Sequence, residues 1–106
     1  MTTTVEKAYK TNDVLHAGMK IFNMTDQQLR RANGGRNGTG WIEARAAIWL
    51  AIYELAGVNY KLIAYLCSRD RSTISVGIKK YHQGHTKNEI YGWLELVRRQ
   101  LEEDVA

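Results

Sequence analysis

The chain has 106 residues, of which 44% are hydrophobic, and this size fits a single domain with a modest core. The net charge of +4 favours an acidic partner such as nucleic acid, although charge alone is not diagnostic. No apolar run reaches membrane-spanning length and no secretory signal is visible, so we expect no membrane partner. The single cysteine, Cys67, excludes an intramolecular disulfide and a multi-cysteine zinc site, and we expect it to be buried.

Residues typical of a catalytic site do not come together along the chain. His82 and His85 are three residues apart but lack a carboxylate or cysteine at metal-ligand spacing. His16 lies on the first predicted helix, and no Ser-His-Asp or Cys-His arrangement is indicated. We therefore expect a protein that is not an enzyme and that uses no metal or cofactor.

The absence of proline and the helical spacing of the aliphatic residues predict an all-α fold of about five helices. Asn12 or Asp13 is expected to cap the first helix, and Asn23 to stop it. The apolar face of this helix is formed by Val14, Leu15, Gly18, Met19 and Phe22. Thr25 and Gln28 form a capping box, which predicts a second, short helix running to about residue 31.

Four glycines fall within residues 33–40, and this composition predicts a mobile loop. A glycine-rich loop can direct backbone N–H groups at phosphate. This one lacks the Gly-Lys-Ser/Thr ending of a nucleotide-binding loop and follows no predicted strand, so we expect no bound nucleotide. Two alternatives stay open: a flexible arm that carries Arg36 toward DNA, or a plain solvated loop.

Four further helices are predicted after this loop. The first spans residues 41–56 and stops at Gly57, and its apolar stripe is Ala44, Ile48, Ala51, Ile52 and Leu55. Two short helices follow, at about 59–66 and 70–82. A capping box of Thr86 and Glu89 then opens an amphipathic helix with the stripe Ile90, Leu94, Val97 and Leu101. Such a short helix needs a partner for its stripe, either its own domain or a second copy in a homodimer.

The most basic part of the chain is residues 59–87, with six basic residues and one acidic residue. The second short helix in this segment opens with Arg69, Asp70, Arg71, Ser72 and Thr73, and it continues with Lys79 and Lys80. Arginine can bond guanine edges bidentately, and small hydroxyl residues let a helix start approach bases and phosphates. Arginines at a helix start oppose the helix dipole, which favours binding over a purely solvated face.

Four segments carry a family resemblance. They are Ile21-Phe22-Asn23-Met24-Thr25 with Leu29; Arg30, Arg31 and Arg36; Ala44-Arg45 with Glu54-Leu55; and Arg69-Asp70-Arg71-Ser72-Thr73-Ile74. In this order they resemble the C-terminal DNA-binding domain of the bacterial replication initiator DnaA, a relative of the Trp-repressor fold. The last segment is similar to the family signature Arg-Asp-His-Ser/Thr-Thr-Val. The resemblance runs from about residue 14 to residue 81.

The resemblance implies a helix-turn-helix domain over residues 12–85, with a lead-in at 1–11 and an added C-terminal helix at 86–106. It implies base contacts from the start of the recognition helix, made by Arg69, Asp70, Arg71 and Thr73, with Ser72 nearby. It also implies a phosphate contact by Arg45 and a minor-groove contact by Arg36. Arg71 replaces the histidine of the family, so the base preference should differ. The chain has no ATPase module, so duplex binding is implied and origin melting is not.

We therefore expect a stand-alone protein that binds double-stranded DNA with sequence preference and regulates transcription or replication. The expected location is cytoplasmic, at the bacterial nucleoid, or in the host cytoplasm for a phage or mobile-element protein. The alternative is a protein–protein interaction adaptor that keeps the fold and binds its partner through the C-terminal helix. Salt-dependent binding to duplex DNA distinguishes the two.

Overall fold

The described part of the chain is built from helices alone. The computed structural model describes residues 9–30 and 39–105, and within them no strand is present. The helices are α1 (Thr11–Phe22), α2 (Asp26–Arg30), α3 (Thr39–Ala51), α4 (Tyr60–Cys67), α5 (Arg71–Gly84) and α6 (Lys87–Val105). The predicted all-α fold is confirmed. The described ranges hold six helices, as expected for about five helices with an added C-terminal helix.

Most helix ends follow the predicted chemistry. Asn23 adopts the left-handed conformation with φ 54° and ends α1. Thr25 and Gln28 exchange side-chain and backbone hydrogen bonds of 2.9 and 3.1 Å at the start of α2. Thr86 and Glu89 do the same at the start of α6, at 2.8 and 3.1 Å. These reciprocal bonds satisfy N–H groups that a helix start leaves without partners.

The start of α1 was predicted wrongly. The helix begins at Thr11, after an extended Lys10 that makes no side-chain cap, and not behind a cap at Asn12 or Asp13. The preceding segment is held by a backbone hydrogen bond of 3.0 Å from Tyr9 N–H to the Leu55 carbonyl. This long-range contact fixes where the helix enters, and Asp13 remains in the first turn, where its charge suits the dipole.

The centre of the core is α3. Every residue from Ala44 to Ile52 is buried, as expected for a helix surrounded by other helices. α1 and α6 pack on one side of it, and α5 on another. The helix continues into one wide π-helical turn, Ile52–Ala56, and ends at Gly57, whose φ of 67° suits glycine. The predicted helix over 41–56 and its stop are therefore confirmed, with a different final turn.

The last helix packs against its own chain. Its buried side chains are Ile90, Trp93, Val97 and Leu101, and they face α1 and α3. The Trp93 indole N–H donates to the Ala47 carbonyl at 2.8 Å, and its ring lies 5.1 Å from that of Phe22, centroid to centroid. Trp93 thus takes the buried place predicted for Leu94, which is half-buried. Of the two alternatives for the stripe, the structure shows docking within the chain, so a second copy is not needed to cover it.

No helix in the described ranges is both long and apolar enough to cross a membrane.

Candidate nucleic-acid interface

A three-residue turn, Ser68 to Asp70, joins α4 to α5. Ser68 adopts the left-handed conformation with φ 56°, which ends α4. The Arg69 N–H donates to the Ala64 carbonyl at 2.9 Å and closes the turn against the last residues of α4. Asp70 occupies the N-cap position of α5 in an extended conformation, but its carboxylate makes no capping hydrogen bond. The turn therefore fixes where α5 begins without a side-chain cap from Asp70.

The short helix α2 holds this turn from outside. Arg30 donates from Nη1 to Ser68 Oγ at 2.8 Å, and from Nε to Asp26 Oδ2 at 2.9 Å. The Arg69 guanidinium reaches the Leu29 carbonyl at 3.4 Å through Nη2. Positive charge beside the last carbonyls of a helix complements its dipole. The position of α2 and the conformation of the turn are thus tied together.

Arg45 contacts the same end of α2 from the other side. Its Nε and Nη2 donate to the Gln28 carbonyl at 3.0 and 2.8 Å. The side chain is only 3% exposed, which is unusual for an arginine. The structure therefore gives Arg45 an internal role in attaching α2 to α3. The phosphate contact implied by the resemblance stays a prediction.

Six of the nine predicted contact residues lie together, exposed, on α5 and at its start. They are Asp70, Arg71, Ser72, Thr73, Lys79 and Lys80. The other three are placed differently. Arg69 is half-buried in the turn, Arg45 is buried, and Arg36 lies outside the described residues.

The seating of α5 decides which side chains face outward. Ile74 and Ile78 are buried, and Gly77 and Tyr81 are partly covered against the rest of the domain. At 100° per residue, the opposite side of the helix is a line of four exposed residues: Ser72, Val76, Lys79 and Gln83. We call this line the outer face of α5. Arg71 lies on one flank of it, and Thr73 and Lys80 lie on the other.

A groove of about 600 Å³ runs between α3 and α5. Its apolar floor is formed by Ala46, Trp49 and Gly77, and Ile42 and Val76 line it as exposed apolar side chains. A Cβ on Gly77 would lie 2.6 Å from the Trp49 ring, so only glycine allows α5 to sit this close to α3. The basic groups Arg45, Arg69 and Lys80 line the same groove.

Acidic and aromatic groups lie at the far end of α5. His85 Nε2 is 3.2 Å from Glu43 Oε2, and His85 Nδ1 is 2.8 Å from the Tyr81 carbonyl. The rings of Tyr81 and His85 stack with centroids 3.9 Å apart. Burial raises the pKa of the Tyr81 hydroxyl, and the charges of Glu43 and Glu89 add to the rise. Besides Asp70 at its N-cap, α5 therefore has acidic neighbours, Glu43 and Glu89, at its C-terminal end.

Cys67 is buried, as predicted, at the end of α4. Burial raises the pKa of its thiol to about 11, and the neighbouring Trp49, Arg30 and Arg69 oppose this rise only weakly. A thiol that stays protonated is a poor nucleophile and a poor metal ligand. In the described ranges, no three side chains of His, Cys, Asp or Glu are grouped to hold a metal ion.

Sequence reasoning missed two features of this surface. Val76 is 51% exposed in the middle of the outer face of α5, and Arg30 braces the turn before the helix. The helical spacing of Val76 from Ser72 could have placed it on that face. The contact of Arg30 joins residues 38 positions apart and has no local signal.

A comparison of the chain with protein-family models, with curated proteins and with solved structures finds no match. The site is therefore interpreted from its own geometry.

Proposed function

We propose that the protein binds double-stranded DNA, with α5 placed in the major groove as the recognition helix of a helix-turn-helix. The observation that carries the proposal is the exposed surface of α5. It presents Arg71, Lys79 and Lys80, together with the hydroxyls of Ser72 and Thr73, and no residue of α5 is acidic. A helix with this charge and so many short hydroxyl side chains suits phosphates and base edges.

The dimensions agree with this placement. The 14 residues of α5 extend about 21 Å. An α-helix about 10–12 Å across fits a major groove about 12 Å wide. The N-terminal residues of a recognition helix contact the bases while the preceding helix crosses the backbone. In this chain, the three-residue turn between α4 and α5 and its brace from α2 would fix the angle between those two helices.

The order of the motifs, which resembles the DNA-binding domain of DnaA, supports the same function. We propose a sequence-preferring regulator of transcription or replication that acts where bacterial DNA lies, in the cytoplasm. The adaptor alternative has less support. The apolar stripe of α6 that would receive a partner is buried against α1 and α3, which leaves Tyr91 and Leu96 as its exposed large apolar side chains.

The test is binding to labelled random-sequence duplexes, measured by fluorescence anisotropy from about 50 to 200 mM salt. Four to six phosphate contacts predict a log–log slope of roughly −4 to −5. Replacing Lys79 and Lys80 together by alanine should make the slope shallower by about 2. Replacing Arg98 and Arg99 on α6 removes the same charge elsewhere and should leave the slope unchanged. Failure to bind any duplex at low salt, or a slope near zero, would reject the proposal.

A further inference from the structure

The outer face of α5 contains one apolar side chain among polar ones. Val76 is 51% exposed, and it lies one turn after Ser72 and one turn before Lys79 and Lys80. The apolar side chains of α5 that build the core, Ile74 and Ile78, are on the other side of the helix. Val76 is therefore not one of the fully buried side chains that hold α5 in place.

Helix propensity gives no reason for valine at this position. A β-branched residue lowers helix propensity slightly relative to alanine, lysine or glutamine, and half of this side chain stays in water. Isolated exposed apolar residues are common on protein surfaces, so exposure alone does not distinguish Val76. Its position distinguishes it, because Val76 lies in the second turn of the helix, on the face that carries the hydroxyl and basic groups.

We infer that Val76 is a specificity-determining residue that contacts the 5-methyl group of a thymine in the major groove. This inference rests on the proposed function. Thymine is the base that presents an apolar group in that groove, whereas the other base edges present hydrogen-bond donors and acceptors. An isopropyl group pressed against such an edge would remove its water without replacing the hydrogen bond, which is unfavourable. Val76 therefore selects an A·T pair, with thymine on the strand it faces.

The neighbouring Thr73 also carries a methyl group, on the flank of α5 that lines the groove. It is the competing candidate for a thymine contact. The two can be separated chemically, because Thr73→Ser removes the methyl group and keeps the hydroxyl. Val76→Ala removes two methyl groups and favours the helix.

The experiment begins with duplexes selected from a random pool by the wild-type protein. Each thymine of the selected duplex is then replaced in turn by deoxyuridine, which deletes only the 5-methyl group. For the wild type, we expect one position at which this replacement weakens binding about fourfold, the loss for one buried methyl group. For Val76→Ala, the same replacement should have no effect, while Thr73→Ser should keep the full fourfold sensitivity. Leu96→Ala, which truncates a similarly exposed apolar residue on α6, should behave as the wild type.

The outcomes separate the two proposals. If no duplex is selected or bound, both are rejected. If duplexes bind but deoxyuridine is tolerated at every position, or the selected sites contain no preferred thymine, only the role of Val76 is rejected. If Thr73→Ser abolishes the sensitivity and Val76→Ala keeps it, the thymine contact belongs to Thr73 and the inference is wrong. Circular dichroism of each variant shows whether the fold is intact.

Discussion

The replacement Gly77→Ala tests how closely α5 is seated on α3. A Cβ at this position would lie 2.6 Å from Cζ3 and 2.9 Å from Cε3 of the Trp49 ring. Trp49 is only 5% exposed, at the floor of the groove between α3 and α5, so its ring has little freedom to give way. Either α5 moves outward or the indole leaves its preferred position, and overpacking of this kind costs about 1–3 kcal/mol.

Gly92→Ala is the matched control. Gly92 lies inside α6, and a Cβ there would meet nothing within 4 Å. Both replacements gain the helix propensity of alanine over glycine, about 1 kcal/mol, so this gain cancels when the two variants are compared. We expect Gly77→Ala to be less stable than Gly92→Ala by about 1–3 kcal/mol. At about 4–8 °C per kcal/mol for a domain near this size, the melting temperatures should differ by roughly 4 °C or more.

The assay is thermal and urea unfolding followed by circular dichroism, with tryptophan emission as a second probe of the contact. Gly92→Ala should be more stable than the wild type. If Gly77→Ala is as stable as Gly92→Ala, the close contact between α5 and Trp49 is wrong, and with it the described floor of the groove.

Three other changes have defined outcomes. Arg71→Ala should reduce the preference for selected over random duplexes by about 1–3 kcal/mol, whereas Lys79→Ala should weaken binding to the two kinds of duplex alike. If Arg71→Ala also lost the same affinity on selected and random duplexes, Arg71 would be a phosphate contact. Leu101→Ala, at a site 3% exposed, should lower the free energy of unfolding by about 2–5 kcal/mol in urea titrations. Leu96→Ala, at a site 48% exposed, should change it by about 0.5 kcal/mol or less, and similar values for the two would contradict the docking of α6. Stability should fall as pH rises from about 9 toward 11, because the unfolded Cys67 thiol loses its proton before the folded one. Cys67→Ala should make this decline shallower, and an unchanged slope would argue against a buried thiol.

Local chemistry made much of the fold predictable. The two capping boxes and the left-handed stop at Asn23 depend on residues within four positions of one another, and all three are confirmed. The predicted apolar stripe of α6 was wrong at one position, because it contained Leu94 where the structure buries Trp93. Both Trp93 and Leu94 have helical spacing from Ile90 and Val97, and the choice depends on the Ala47 carbonyl that receives the indole N–H.

The candidate site was predictable only where it lies along one helix. The exposed residues from Asp70 to Lys80 share one element, so helical spacing places them correctly. Arg45 and Arg69 are different, because their carbonyl partners lie 17 and 40 positions away in the chain. The sequence shows a positive charge at each position, but not whether that charge faces water or another helix.

The contacts between α2 and the turn before α5 have a consequence for the local dynamics of the chain. A helix of five residues is too short to be stable alone, so α2 depends on its buried Leu29 and on the contacts of Arg45 and Arg69 at its last carbonyls and of Arg30 on Ser68. The amide protons of α2 and of the turn after α4 should therefore exchange with solvent in one shared opening event. Residues far apart in the chain would then open and close as one cooperative unit, and the turn that sets the start of α5 would open with them.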